Sequence, residues 1–366
     1  MNPPLSSEFE FSLLGRGKAY GESIVLHLGD NKWGIIDNCI NHKSKESLAL
    51  EYLQKLKIPF DNVQFIVCTH WHQDHITNIT SLFQKCPKAI FYLSSALNCE
   101  NFKALICFQG KINSHFNATS QFVKLIKYAI ESGRKVIRVN QDQILFSNNI
   151  SGCNLKIVAL SPTEETKRHF EKTTKKMMEN ISGIESSVCK PEPNLQSIVC
   201  YIKIGDFSVL LGGDLENDNK EGLGWQGVLE SIELSANTQK VNIFKVPHHG
   251  SENAYDEQIW KKIVAFKKAH LVTTPLKNGN ALLPNTEMIQ NICNFSKNFY
   301  LTSNPYSIKS GKHNRKVQKF IKKSGLNIKK ISQELGQVRF RKDFSKENTR
   351  LRIEKFGEAR KINCLS

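Results

Sequence analysis

What this sequence lacks narrows its class first. Across 366 residues no apolar run approaches the roughly 20 residues that span a bilayer, so neither a membrane protein nor a membrane partner is expected. The first residues, Met1 to Ser7, hold no basic stretch followed by an apolar core, so no secretory signal is expected. The ten cysteines are scattered and form no C-x-x-C pair; Cys68, Cys107 and Cys200 sit in apolar surroundings and read as small core residues of a reducing compartment, with the cytoplasm as default. There is no internal repeat. The four tryptophans form no stacking array that would argue for single-strand binding. Acidic residues are scarce at one end: positions 305–366 hold 18 Lys and Arg against 5 Asp and Glu, a surplus of 13 within a total of +17. The first 304 residues are nearly balanced, at 33 against 29. A basic end on a near-neutral body points to a polyanion such as nucleic acid, or else to a solubilising tail.

What is present reads as alternating strands and helices. Residues 8–14, 23–28 and 33–37 have strand patterning, 44–57 carries leucines on one helical face until Pro59, and 63–68 is a buried strand. A helix at 76–86, a strand at 89–93, helices within 95–133, and strands at 136–139 and 155–160 follow. Residues 163–193, rich in Lys and Glu and ending in Pro191-Glu192-Pro193, read as a mobile insertion or lid with little structure. Strands at 197–204 and 207–211 form a hairpin; further strands lie at 241–246 and 270–274, with helices at 255–268 and 285–297. The basic end is expected to hold a helix near 311–323 and a strand at 337–340. The domain reading is a hydrolase-sized unit over 1–304 and a basic extension over 305–366.

The chemistry concentrates in Thr69-His70-Trp71-His72-Gln73-Asp74-His75, directly after the strand at 63–68. Strand C-terminal ends are where α/β sheets hold their sites. In an extended or turning segment His70 and His72 can reach one metal ion, and Asp74 and His75, one turn on, a second. Further along come Gly213-Asp214 after one strand and Pro247-His248-His249-Gly250-Ser251 after another. Asp214 suits a bridge between two ions because a carboxylate has two oxygens.

The motif His70-x-His72-x-Asp74-His75, followed in order by Gly213-Asp214 and His248-His249, resembles the signature of the metallo-β-lactamase fold superfamily. That resemblance implies an α/β fold, a four-layer αββα sandwich, with a dinuclear centre of Zn²⁺ or Mn²⁺, or Mg²⁺. It implies that His70 and His72 serve the first ion, Asp74, His75 and one of the two late histidines the second, and that Asp37 supports the metal loop. His249 is favoured as ligand, with His248 as a contact to substrate or transition state; adjacent histidines are not separable by sequence. One ligand of the pattern is missing: where a third His is usual, the chain reads Pro193-Asn194-Leu195-Gln196-Ser197. Asn194 offers a carbonyl oxygen there, and His115 and His169 are distant substitutes. A more oxygen-rich first site shifts preference toward Mn²⁺ or Mg²⁺.

Asn194, Ser197 and Val199, then Gly213-Asp214-Leu215-Glu216, then Pro247 to Ser251 resemble the metallo-β-lactamase-like domain of ComEC-type DNA-uptake proteins, over roughly residues 9–304. Those domains often carry Asp where this chain has His72, and His before the proline at Leu283-Pro284. The resemblance implies a metal-dependent phosphodiesterase or nuclease, with Asp74 and His248 in the chemistry; Ser251, and Lys277 by its place near a strand end, are candidate substrate contacts. Lys245, Asn278 and Asn280 are further candidates near strand ends, each as readily a solvated loop residue. The alternatives are a hydrolase of a small phosphodiester, cyclic nucleotide or lactone, and a non-catalytic nucleic-acid-binding subunit.

Overall fold

The computed structural model of the chain describes residues 1–15, 21–98, 117–182, 192–237, 239–278, 281–303 and 335–364. The period-2 pattern of the first strand shows how the layers arise. In β1 (Glu8–Gly15), Phe9, Phe11 and Leu13 enter a core shared with a second sheet, while Leu14 enters a core with helices. The first sheet continues through β2 (Glu22–Leu28), β3 (Trp33–Ile36), β4 (Val63–Cys68), β5 (Ile90–Ser94) and β6 (Val136–Val139). The second holds β7 (Ile144–Ile150), β8 (Cys153–Ala159), β9 (Cys200–Ile204), β10 (Phe207–Leu211), β11 (Ile243–Lys245) and β12 (His270–Thr273). Beyond a hairpin of β13 (Leu276–Asn278) and β14 (Ala281–Leu283), β15 (Phe299–Leu301) joins the second sheet, β16 (Gly336–Asp343) and β17 (Arg352–Gly357) the first, and β18 (Arg360–Lys361) the second. Among the described residues each of these two sheets has eight strands.

Three cores separate four layers. Leu53, Phe83 and Leu125 of the outer helices pack on Val25, Ile35 and Ile66 of the first sheet. Phe11, Leu26 and Val67 meet Ile157, Ile202 and Val209 between the sheets. Trp225, Trp260 and Ile292 cover Tyr201, Leu210 and Phe244 on the far side. This is the αββα sandwich expected of the sequence. In the first sheet β3 to β6 run parallel, and in the second β10, β11, β12 and β15 do so, which puts the C-terminal ends of β4, β10, β11 and β12 at one edge.

Three expectations need correcting. The segment 163–193 is not structureless: Glu164–Ser182 is a helix. Thr163 Oγ1 accepts from the Thr166 N–H at 3.0 Å, and Thr166, Phe170 and Thr174 are buried four residues apart on its inner face. The Lys/Glu content masked that period. Second, the basic end is no free extension where it is described. β16 pairs along its whole length with β1, and its arginines are engaged inside the fold: Arg341 Nε lies 2.6 Å from Glu10 Oε2, both buried, and Arg339 NH2 lies 2.9 Å from Glu354 Oε2. The helix expected near 311–323 lies outside the described residues. Third, Cys293 and Cys364, 71 positions apart, form a disulfide that ties the helix Thr286–Phe295 to the chain end. A bonded pair is not the resting state of thiols in a reducing compartment, so cysteine usage lends no support to the cytoplasm. Cys68 and Cys200 are buried free thiols as expected, and Cys107 lies outside the described residues. Strands β7, β15, β17 and β18 and the β13–β14 hairpin were not foreseen. No described helix is long and apolar enough to cross a membrane.

The disulfide closes a long loop, so replacing both cysteines by serine is expected to cost about 2–4 kcal/mol. Urea unfolding with a lowered midpoint and a steeper slope, as the unfolded chain expands, would show it; an unchanged midpoint would mean the bridge constrains nothing.

Candidate metal centre

The first half of the site hangs from the end of β4. Asp37, just past β3, adopts a left-handed backbone (φ 59°), and its buried carboxylate accepts from the Thr69 N–H and the Thr69 hydroxyl, each at 2.7 Å. Its Oδ2 also lies 2.7 Å from His75 Nδ1. One carboxylate thus fixes the loop and turns the His75 ring so that Nε2 points away from it. His70 is held in the same way, with Nδ1 3.0 Å from the Thr69 hydroxyl. His72 stacks edge-on to His70, ring centroids 4.8 Å apart. Gly21 explains how the chain entering β2 passes so close: its φ is +82°, and a Cβ there would lie 1.7 Å from the Asp74 carbonyl oxygen.

The second half comes from β10 and β11. Asp214 Oδ2 lies 3.2 Å from His75 Nε2, 3.5 Å from His249 Nε2 and 3.9 Å from His70 Nε2. His249 Nε2 is also 3.1 Å from Asp74 Oδ2, and its Nδ1 donates to the Thr274 carbonyl at 2.8 Å, just past β12. The ligand atoms of Asp74, His75, Asp214 and His249 all lie within 4.8 Å of one another. His248 and His249 both take left-handed backbones (φ 45° and 55°), a conformation that costs free energy in non-glycine residues and concentrates at functional sites. It sends the two rings to different places: His249 into the cluster, His248 to its rim. The adjacent histidines that sequence could not separate are separated here.

The electrostatics suit a cation. Burial alone would push His75 down, but the carboxylates of Asp214, Asp37 and Asp74 outweigh it and hold the ring well above the ordinary histidine value. Burial would push Asp214 up, yet His75, His249 and Lys245 hold it well below the ordinary carboxylate range. The carboxylates around His75 thus favour positive charge at the cluster, which a divalent ion would supply with release of ligand protons. His70 is pushed well down by burial and by His75 beside it, which keeps the neutral imidazole a metal needs. His70 Nε2 is buried and makes no hydrogen bond, which also fits a ligand atom.

At the rim lies a network only partly foreseen. Asn194, in a short turn at Pro193–Gln196, donates from Nδ2 to Glu216 Oε1 at 2.5 Å and lies 3.2 Å from His248 Nε2. His248 Nδ1 is shared by Glu216 Oε1 at 3.2 Å and Asn253 Oδ1 at 3.0 Å. The Asn194 carbonyl oxygen is buried without a partner, so it remains available as the oxygen ligand suggested for the missing histidine. Glu216 and Asn253 had no assigned role in the sequence reading. Glu216, two residues past Asp214, was legible as an acidic neighbour, while Asn253 carried no signal.

Several expected residues stand elsewhere. Lys245 is not a strand-end surface lysine but fully buried, bound to Glu22 and 3.5 Å from Asp214 Oδ1; burial opposes its charge, but Glu22 and Asp214 outweigh it and hold the amine above its ordinary value. Lys277 is half-buried on the β13–β14 hairpin. Ser251 donates from its backbone N–H to the His248 carbonyl at 2.8 Å and so closes the turn of the histidine pair. His169 pairs with Glu192 at 3.0 Å, away from the cluster. His115 and Asn280 lie outside the described residues.

No protein-family model matches the chain, and no curated protein does. Solved structures do. A Thermotoga maritima protein assigned to the metallo-β-lactamases is 18% identical, over 56% of this chain and 79% of its own, with a TM-score of 0.33. A Cronobacter sakazakii metallo-β-lactamase with a HARLDQ motif is 12% identical, over 63% and 73%, with a TM-score of 0.33. The flavodiiron protein of Giardia intestinalis is 15% identical, over 53% of this chain but 32% of its own length, with a TM-score of 0.27. At these identities the residues of this chain must carry any reading of its chemistry.

Asp37 is not one of the clustered ligand groups but holds Thr69, at the start of the ligand loop, and the ligand-type His75. Asp37→Asn is therefore expected to weaken divalent-metal affinity by about 10- to 100-fold. Competition against a chromogenic chelator measures it, and an affinity equal to wild type would remove Asp37 from the site's support.

Proposed function

We propose that the chain is a metal-dependent hydrolase whose dinuclear centre cleaves phosphodiester bonds in nucleic acid. The observation that carries the hydrolase reading is the set of half-buried Asp74 and buried His75, Asp214 and His249, with ligand atoms within 4.8 Å, beside His70 and His72. Asp214 Oδ2 faces His70 as well as His75 and His249, so it is the group that would join two ions. His70, His72 and the Asn194 carbonyl would complete one site, and Asp74, His75 and His249 the other. Bound divalent ions would supply Lewis acidity to a phosphoryl oxygen and hydroxide near neutral pH. The residues of the chain do the rest. Asp37 and Thr274 aim the histidines, and His248, held by Asn194, Glu216 and Asn253, stands at the rim where a substrate oxygen would lie. The mixed nitrogen and oxygen ligand set suits Zn²⁺ or Mn²⁺, with Mg²⁺ third.

The substrate class is supported by charge and by resemblance. Residues 305–334 carry nine Lys and Arg and one acidic residue. The order Asn194–Ser197, Gly213–Glu216, Pro247–Ser251 resembles ComEC-type domains, which are linked to DNA cleavage.

The test strips the purified protein with chelator, reloads it with Mn²⁺, Zn²⁺ or Mg²⁺, and assays labelled DNA, labelled RNA and a chromogenic phosphodiester. Turnover of polymer and small ester is expected; turnover of the small ester alone would favour the small-substrate reading. Asp74→Ala should lower turnover on the order of a thousandfold, about 4 kcal/mol of transition-state stabilisation, with the fold intact by circular dichroism. Asp74 is the cleaner choice than His75, whose removal also strips the buried Asp37 carboxylate of a partner.

Substituting Lys312, Lys316, Lys319, Lys322 and Lys323 by glutamine is expected to weaken nucleic-acid binding and to flatten its salt dependence, by about 0.9 in log–log slope for each phosphate no longer neutralised. Hydrolysis of the chromogenic ester should persist. Deleting the chain from Ser345 would not serve, because it removes β17, β18 and Cys364.

A further inference from the structure

Lys245 ends β11 and is fully buried, which is rare for lysine. Three acceptors surround its ammonium: Glu22 Oε1, the Gly213 carbonyl oxygen at 2.8 Å, and Asp214 Oδ1 at 3.5 Å. Its three N–H donors are thereby matched. Glu22, itself buried, opens β2 of the first sheet, whereas Lys245 and Asp214 belong to the second. The ligand cluster is divided across the same seam, Asp74 and His75 following β4 and Asp214 and His249 following β10 and β11. A buried ion pair is not by itself a source of stability, because an apolar pair of similar shape is often as stable or more so. Its place beside the ligands therefore asks for another account. The two oxygens of Asp214 give one: Oδ1 faces Lys245, and Oδ2 faces His75, His249 and His70.

Resting on the metal reading above, we propose that Lys245 is a positioning residue of the metal centre: it clamps Oδ1 of Asp214, so that Oδ2 alone is presented to the ions, while Glu22 cancels its charge. Without Glu22 a buried cation this close would repel divalent ions, since Coulomb interactions are weakly screened there. Without Lys245 the carboxylate is free to rotate and to offer either oxygen or both.

The test compares the wild-type chain with the double variant Lys245→Met/Glu22→Met, which replaces the pair by apolar side chains of similar length. Two quantities are read on chelator-stripped protein: the Tm, and the Kd for Mn²⁺ by titration calorimetry. The proposal expects a Tm near or above that of wild type and a Kd weaker by about tenfold or more, 1.4 kcal/mol. A merely structural pair would leave the Kd unchanged, and that result overturns the proposal. Should the double variant not fold, Glu22→Gln decides. It leaves Lys245 on Asp214 with its charge uncancelled, so Mn²⁺ affinity falls about tenfold if the lysine and the centre are coupled and holds at the wild-type value if they are not. A wild-type chain that binds none of Mn²⁺, Zn²⁺ and Mg²⁺ removes the metal reading and this inference together; a wild-type chain that binds one of them, with variants that bind it equally well, removes this inference alone.

Discussion

The structure depends on holding two carboxylates and three imidazoles, all largely out of water, within reach of one another. Each ionised group in such a place loses hydration and must recover it from partners. Asp214 and Asp74 recover it from His75, His249 and Lys245. The histidines recover it through their second nitrogens, His75 on Asp37, His249 on the Thr274 carbonyl and His70 on the Thr69 hydroxyl. The nitrogens left over all face inward. Imidazole nitrogens and carboxylate oxygens gathered in one largely buried cluster make a donor set suited to a cation, and the carboxylates that hold His75 and His249 above the ordinary histidine value show a demand for positive charge there.

That demand explains why two sheets are needed. A single strand end can present two or three ligands, as β4 does, but they cannot surround an ion. The sandwich brings a second set from β10 and β11 to the same edge, and the backbone at His248 and His249 bends into the left-handed region so that neighbouring rings diverge. The seam is braced by Glu22 and Lys245 below the ligands and by the apolar layer of Phe11, Val67, Ile202 and Val209 further in. Strain at the histidine pair persists because the surrounding layers over-determine it.

Much of this was legible in the sequence, for a physical reason. Strands buried on one or two faces betray themselves by period or by apolar runs, so β1 to β6, β8 to β12 and the ligand loops were readable to within a few residues. Ligand identity was readable because His and Asp cluster at strand ends. What escaped has no local signature. The helix Glu164–Ser182 carries its buried stripe on two threonines and one phenylalanine, which composition hides. The pairing of β16 with β1, across more than 300 positions, depends on Arg341 meeting Glu10, and nothing near either residue announces the other. Lys245 reads as a surface lysine until its strand is placed in the middle of a sheet. The Cys293–Cys364 bridge likewise joins positions with no shared spacing motif.

The fate of the basic residues bears on the substrate. Net charge counts every lysine and arginine alike, yet a cation paired inside the fold contributes little to the field felt by a polyanion. Arg341 is paired with Glu10, Arg339 with Glu354, and Arg352 contacts both Glu8 and Glu354. The buried arginines of β16, Arg339 and Arg341, therefore close the first sheet rather than offer themselves to phosphate, whereas Arg352 of β17 stays exposed. The unbalanced charge that remains is concentrated in 305–334, a lysine-rich stretch with a single acid, and it lies in the chain between β15 and β16 rather than at a terminus. Both of its ends are anchored in the sandwich, β15 in the second sheet and β16 in the first. Were this stretch to bind the polyanion proposed above, its tethering at both ends would keep the charge at high effective concentration near the body of the protein, and it would lose less freedom on binding than a loose tail.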